Sequence, residues 1–254
     1  MQLTVLGASP WVQNPGGACS GYLVETPEAR LLLDCGSGVV GKLRQICELP
    51  DVDAVLISHL HADHCFDLLP YYHGLRYGPG GPTVDRPALY LPPDDPARLG
   101  LLAGLYSDAG LDFFADAFRV RSYPPDGSVQ IGDAVIHFRQ VQHYIPTYAM
   151  RIESASRVLI YSADTGPCQA IEDLARAGDL FLCEAAFLAR DLAPQDRGHM
   201  AAAEAGVVAA RAGVKRLMLT HFLCGADDVR RRAEAERTFG DRVMLAVEGQ
   251  TYQV

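Results

Sequence analysis

Short apolar runs and helical stretches alternate along the chain. Ten segments carry the alternating or continuous apolar pattern of strands: Gln2–Leu6, Gly21–Glu25, Arg30–Asp34, Ala54–Ser58, Ala134–Val141, Tyr148–Glu153, Arg157–Ser162, Leu180–Glu184, Arg216–Thr220 and Val243–Val247. Helical periodicity falls near Gly38–Ile46, Phe66–Leu75, Pro96–Ser107, Gln169–Ala177, Ala201–Ala212 and Asp228–Thr238, with Gly178 and Gly213 as helix stops. The stretch richest in breakers is Gly78-Pro-Gly-Gly-Pro82, followed by Pro92-Pro93 and Pro96. It reads as loops, and no linker or low-complexity tract divides residues 1–254, so a single domain is expected.

The pattern contains a faint internal repeat. The hairpin Gly21–Glu25/Arg30–Asp34 ends in Asp-Cys-Gly, and the hairpin Tyr148–Glu153/Arg157–Asp164 ends in Asp-Thr-Gly. Each is followed by a strand that ends in a hydroxyl and a histidine, Val-Leu-Ile-Ser-His59 and Leu-Met-Leu-Thr-His221. Two β-rich halves covered by helices predict two sheets packed face to face between helical layers. Such an arrangement brings strand ends from both halves to one edge.

Charge and cysteine content narrow the setting. The 254-residue chain has a net charge of -9, which argues against a broad phosphate-tracking surface for nucleic acid. A small anionic substrate stays open, because bound divalent ions would dominate the local field. Seven cysteines with no paired spacing read as reduced, buried thiols. The apolar start Met1–Gly7 is too short for a signal peptide, and no segment approaches the ~20 apolar residues of a membrane span. A cytoplasmic protein without membrane contact is expected.

The candidate chemistry lies in Ser58-His59-Leu60-His61-Ala62-Asp63-His64, directly after an apolar strand. In extended backbone His59 and His61 point the same way and can grip one ion. Asp63 and His64 follow the next bend and can reach a second. Imidazole plus carboxylate without thiolate suits zinc, with iron or manganese as alternatives. Three more candidates follow predicted strands: His143, Asp164 and His221. His73 and His137 fall away from strand ends and read as surface or core-edge residues; Cys35, Cys65 and Cys168 lie near the motifs without assigned chemistry.

Taken in order, these residues resemble the metallo-β-lactamase superfamily, whose members carry His-x-His-x-Asp-His, then a lone His, a bridging Asp and a final His. The resemblance covers essentially the whole chain. It implies an α+β four-layer αββα sandwich with a dinuclear zinc centre: His59, His61, His143 and Asp164 on one ion, Asp63, His64, Asp164 and His221 on the other. Asp34 matches an aspartate that supports the metal loop without binding metal. Within the superfamily the segments Tyr161-Ser-Ala-Asp-Thr-Gly-Pro-Cys168, Cys183-Glu-Ala-Ala-Phe187, Gly198-His-Met-Ala-Ala-Ala-Glu204 and Leu219-Thr-His221 resemble the ribonuclease Z branch. That branch implies catalytic roles for Asp63, His199 and Glu184. A hydroxide bridging the ions attacks phosphorus, and His199, oriented by Glu184, protonates the leaving oxygen.

Three substrate classes follow from the resemblance. tRNA 3′-processing is disfavoured: residues 144–162 leave no room for a tRNA-gripping arm, the usual His-Ser-Thr reads His199-Met200-Ala201, and Gly166 stands where an arginine is common. Short, armless relatives include cyclic-nucleotide phosphodiesterases of the anti-Pycsar type, which the segment Asn14–Val24 and Gly198-His-Met200 resemble. A small cyclic phosphodiester and a homodimer are therefore expected. The aromatic stretch Tyr106–Tyr123 reads first as core and second as a lid over a base. The phosphonate-catabolism branch has clustered N-terminal cysteines, whereas this chain has only Cys19 there. A lactone or thioester is the third class.

Overall fold

The computed structural model describes residues 1–254 except 80, 81, 83, 84, 94, 111, 192–196 and 226, so part of the Gly78–Pro82 loop lies outside the described residues. Among the described residues fourteen strands form two seven-stranded sheets. The first sheet contains β1 (Gln2–Gly7), β2 (Gly21–Glu25), β3 (Arg30–Leu33), β4 (Ala54–Leu56), β5 (Ala88–Leu91) and β6 (Arg119–Ser122) in sequence order. The second contains β7 (Ser128–Ile131), β8 (Ala134–Val141), β9 (Thr147–Ser154), β10 (Arg157–Tyr161), β11 (Leu180–Glu184), β12 (Leu217–Thr220) and β13 (Val243–Leu245). The last strand, β14 (Thr251–Gln253), returns to pair with β1.

The residues that alternate along the central strands explain the layering. Leu31, Leu33 and Leu56 face Leu159, Tyr161 and Leu182 between the sheets. Leu32, Val55 and Ile57 point the other way, onto α1 (Val39–Leu43) and α3 (Leu68–Tyr77). In the second sheet Ile160, Phe181 and Leu219 pack on α6 (Gln169–Ala175) and α7 (Ala202–Ala212). Strands buried on both faces read as unbroken apolar runs, as these do. The result is the expected αββα sandwich. The remaining helices are α2 (Ala62–Cys65), α4 (Asp95–Ala103), α5 (Asp112–Ala115) and α8 (Asp228–Phe239).

The repeat is real but shifted from the sequence reading. In each half an antiparallel ladder meets a parallel one at the central, fourth strand of the sheet: β3 with β4, and β10 with β11. Leu33 pairs with Leu56 as Tyr161 pairs with Leu182. Asp53 Oδ2 accepts the Arg30 N–H at 2.8 Å, and Asp179 Oδ2 accepts the Val158 N–H at 2.8 Å. The counterpart of β4 is therefore β11, which ends in Glu184, and β12 with His221 corresponds to β5. The likeness of Ser58-His59 to Thr220-His221 is not a positional one.

Four strands escape the sequence pattern. β5 is four residues between prolines, while β6, β7 and β14 are short, partly exposed and without a continuous apolar run. Gly213 caps α7 in the left-handed conformation, but Gly178 is not a cap: α6 ends at Ala175 and Ala177 takes the positive φ of 54°. All seven cysteines are free, yet Cys224 is exposed and Cys47 and Cys168 half-buried, against the expectation of uniform burial. Phe114, Phe118 and Tyr123 of the aromatic stretch are core residues, leaving Tyr106 exposed. His73 is exposed on α3, and His137 is half-buried in β8. No described helix is long and apolar enough to cross a membrane.

Candidate metal centre

Strand ends from both sheets meet at one edge. His59, His61, Asp63 and His64 occupy the loop and short helix after β4, while His143, Asp164 and His221 follow β8, β10 and β12. Their donor atoms form two groups sharing Asp164: His59, His61, His143 and Asp164, and Asp63, His64, Asp164 and His221, each within 4.8 Å. His61 Nδ1 lies 3.0 Å from His59 Nε2 and 3.1 Å from His143 Nε2. Asp164 sits between the groups, with Oδ1 3.3 Å from His64 Nε2 and Oδ2 3.4 Å from His221 Nε2 and 3.7 Å from His59 Nε2. Asp63 Oδ2 closes the second group at 3.6 Å from His64 Nε2 and 3.9 Å from His221 Nε2.

This donor set fits divalent ions. His64 Nε2, His221 Nε2 and Asp164 Oδ1 are buried without a hydrogen-bond partner among the described residues, a costly arrangement that a cation relieves. Four histidines engage their other nitrogen: His59 Nδ1 with Ser58 Oγ at 3.0 Å, His64 Nδ1 with Asp34 Oδ2 at 2.7 Å, His143 Nδ1 with the Gly198 carbonyl at 2.6 Å, and His221 Nδ1 with Ser20 Oγ at 3.1 Å. Such outer contacts fix the tautomer and aim the free nitrogen at a metal. Burial pushes the imidazoles of His143 and His221 down to about 4 and lowers those of His59 and His61, favouring the neutral form that binds metal, whereas at His64 burial is outweighed by Asp164 and Asp34, which raise its pKa in the absence of an ion.

Asp34 is the hub of the loop. Its carboxylate accepts the Ser58 N–H at 2.6 Å, the Ser58 hydroxyl at 2.8 Å and the Tyr161 hydroxyl at 2.6 Å, besides meeting His64. It belongs to neither donor group and touches the second only through His64 Nδ1, the supporting position the resemblance implies. Asp34, Ala163 and His221 all have left-handed backbones, with φ of 57°, 51° and 58°, a conformation non-glycine residues adopt only where the surroundings enforce it. Gly36 and Gly166 serve by close approach: a Cβ on either would collide with the carbonyl of Asp63 or of Arg197, so each lets a site loop lie against its sheet edge.

Glu184 and His199 form a third group with Asp164. His199 is only 8% exposed, not the surface residue its place before a helix allows. Its Nδ1 is 2.9 Å from Glu184 Oε1 and 3.9 Å from Asp164 Oδ2. Glu184 also accepts the N–H groups of Thr165 at 2.9 Å and Ala186 at 3.1 Å. Burial pushes the Glu184 carboxyl up to about 7; burial opposes the charge on His199, but the bond to Glu184 prevails and raises that imidazole to about 9. The contact with Glu184 favours the protonated form of His199. Arg197 holds the loop by pairing with Glu204 at 2.7 and 3.0 Å, and Glu204 also accepts the Ala201 N–H.

Sequence reasoning missed five neighbours of this cluster: Ser20 behind His221, the Gly198 carbonyl behind His143, and the aromatic side chains Trp11, Tyr144 and Phe187 around His199. A backbone carbonyl carries no side-chain signal. The aromatic residues stand singly in loops, where only the solitary tryptophan is conspicuous.

A model described as the beta-lactamase superfamily domain matches residues 29–222. The chain belongs to the beta-lactamase superfamily. It is 38% identical over 258 residues to the uncharacterized protein Rv1339 of Mycobacterium tuberculosis (strain ATCC 25618 / H37Rv), covering 100% of this chain and 92% of the relative. It is 31% identical over 253 residues to the "Probable metallo-hydrolase YhfI" of Bacillus subtilis (strain 168), covering 98% of each. The crystal structure of YhfI, described as a metallo-beta-lactamase fold protein, superposes with a TM-score of 0.88 over 99% of this chain and 98% of that one, at 29% identity. A ribonuclease Z of Ignicoccus hospitalis (strain KIN4/I / DSM 18386 / JCM 14125) is 26% identical over 297 residues, covering 93% of this chain and 92% of the relative. Within the superfamily the chain lies in the ribonuclease Z-like branch and is a metal-dependent hydrolase.

Proposed function

We propose that this hydrolase is a dinuclear phosphodiesterase that opens a small cyclic phosphodiester, with cyclic mononucleotides as its substrate class. His59, His61, His143 and Asp164 would hold one ion, and Asp63, His64, Asp164 and His221 the other. Zinc suits these donors, and manganese or iron can replace it. When bound, the ions supply Lewis acidity towards the ester oxygens and lower the pKa of water from 15.7 towards about 7.

The chain's own residues supply the proton. Hydrolysis forms one bond from water oxygen to phosphorus and breaks one from phosphorus to a sugar oxygen, which leaves as an alkoxide and must be protonated. The observation that carries the reading is His199, buried and fixed through Nδ1 on Glu184, a partner that favours its protonated form, with its second nitrogen left for the leaving group. Glu184 positions it and Asp63, with its carboxylate at the second donor group, completes the catalytic set. A lactone or thioester leaves Glu184 and His199 without an equally defined duty.

The compact loops favour a small substrate. β8 and β9 are joined by residues 142–146, and β9 turns into β10 through Ala155 and Ser156, both left-handed. Neither connection carries an arm that could grip tRNA. The net charge of -9 points the same way. The ribonuclease Z relative favours the second reading, tRNA 3′-end cleavage. A cytoplasmic homodimer is part of the proposal: free thiols suit a reducing compartment, and the dimer rests on the resemblance to short, armless relatives.

The test is a panel of cyclic mononucleotides, precursor tRNA, a linear aryl phosphodiester and a lactone, with metal content measured on the same preparation. Cyclic nucleotides opened by protein carrying two ions per chain is the expected outcome. Trimmed tRNA with cyclic nucleotides untouched supports the second reading instead.

A further inference from the structure

Three aromatic side chains stand at the mouth of the cluster, and nothing in the chemistry above uses them. Trp11 is 52% exposed and Tyr144 63% exposed, while Phe187 is half-buried. All three surround the proton donor: ring centroids lie 6.1 Å from Trp11 to His199, 5.9 Å from Tyr144 to His199 and 5.9 Å from Phe187 to His199. Trp11 is also 6.2 Å from Phe187 and 6.4 Å from His221. Large apolar rings left in solvent beside a polar cluster mark a binding surface more often than leftover core.

The rings come from three separately anchored segments. The Trp11 loop is pinned by Ser9 N–H to the Ala18 carbonyl at 3.0 Å, Cys19 Sγ to the Pro10 carbonyl at 3.3 Å, and Asn14, which donates to the Phe222 carbonyl at 3.2 Å and accepts from Cys224 N–H at 2.9 Å. Tyr144 lies against Gly198, where any Cβ would strike its ring. Phe187 exchanges backbone hydrogen bonds with Met200 and Ala202 at 3.2 and 3.0 Å. The fold thus spends defined contacts on holding aromatic faces open to water.

We infer that Trp11, Tyr144 and Phe187 form a wall that receives the nucleobase of the substrate while its phosphate sits at the metal donors. This deepens the proposed function and rests on it for the position of the phosphate. Every base has a π-face, and base–aromatic stacking discriminates for a planar ring without demanding one hydrogen-bond pattern. The wall therefore selects phosphoesters that carry an aromatic base over those that do not.

Trp11 is the only tryptophan, so its fluorescence reports the wall directly. The holoenzyme is titrated with a nucleoside 5′-monophosphate and, separately, with ribose 5-phosphate; turnover is compared on a cyclic mononucleotide and on the same cyclic ribose phosphate without its base. Quenching by the nucleotide but not by the sugar phosphate is expected. Trp11→Ala should raise KM for the cyclic nucleotide roughly ten- to a hundred-fold with kcat nearly kept, affect the base-free ester far less, and be rescued in large part by Trp11→Phe. Equal fluorescence responses to both titrants, or equal losses on both esters, would overturn the proposal whatever the enzyme hydrolyses. If neither cyclic ester is turned over but the nucleotide alone quenches Trp11, the wall stands and the proposed reaction falls.

Discussion

The two halves of the molecule share one strand plan but use it differently. One residue beyond β3, Asp34 accepts the Ser58 N–H at the end of β4; at the matching place Ser162 accepts the Glu184 N–H at 2.9 Å. The Asp-x-Gly tripeptide of the second half comes two residues later in this frame. Asp34 is therefore held at the sheet edge as a support, while Asp164 is carried past it into the donor cluster. A displacement of two residues separates a carboxylate that organises a loop from one that two groups of donors share. The loops differ in kind as well. The loop after β4 concentrates four donors within six residues, whereas the loop after β11 delivers His199 beside Glu184.

The largest expected effect is at the shared carboxylate. Asp164→Ala should reduce turnover beyond the ~10⁴-fold upper range for losing a general acid, and should drop bound metal below one ion per chain by elemental analysis. Full metal stoichiometry in that variant would break the assignment of Asp164 to both groups. Next is His199→Ala, with a loss of about 10²–10⁴-fold in kcat on an unactivated ester, a much smaller loss on an aryl ester whose leaving group needs no proton, and unchanged metal content. Equal losses on both esters would remove His199 from the proton step.

A matched pair of substitutions sharpens the contrast between halves. Asp34→Asn should weaken metal affinity about 10–100-fold, because the His64, Ser58 and Tyr161 contacts all converge on it. Its counterpart Ser162→Ala should cost about 1 kcal/mol in denaturant unfolding and leave metal affinity intact. Similar affinity losses from both would mean that the halves support the centre alike. The smallest effect concerns Asp179, whose hydrogen bonds from Lys215 and the Val158 N–H outweigh burial and hold its pKa below the ordinary carboxylate value. Its stabilisation is present above the unfolded pKa of about 3.9 and is lost as pH falls through the lowered one. Asp179→Asn should therefore flatten the acid end of a Tm-against-pH curve. An unchanged acid limb would show that Asp179 does not shape it.

The histidine loop was legible in the sequence because local spacing alone brings its donors together. The central strands were legible because burial on both faces demands continuous apolar runs such as Leu31-Leu-Leu33 and Leu180-Phe-Leu182. Edge strands obey no such demand: Arg119–Ser122 faces water along most of its length, and Thr251–Gln253 finds its partner at the far end of the chain. The register of the repeat was hidden for a related reason. Ser58-His59 and Thr220-His221 look alike as letters, and only the pairing of strands shows that they occupy different places in the two sheets.

The 2.6 Å contact between the His143 ring and the Gly198 carbonyl ties the two kinds of chemistry together, since residue 199 is the next along the chain. Whatever steadies the ring of His143 also steadies the acid one peptide away. During stepwise reconstitution of stripped protein, catalytic output should then climb more steeply than the quantity of ion taken up, because a cation arriving at His143 would also steady the segment that carries the proton donor.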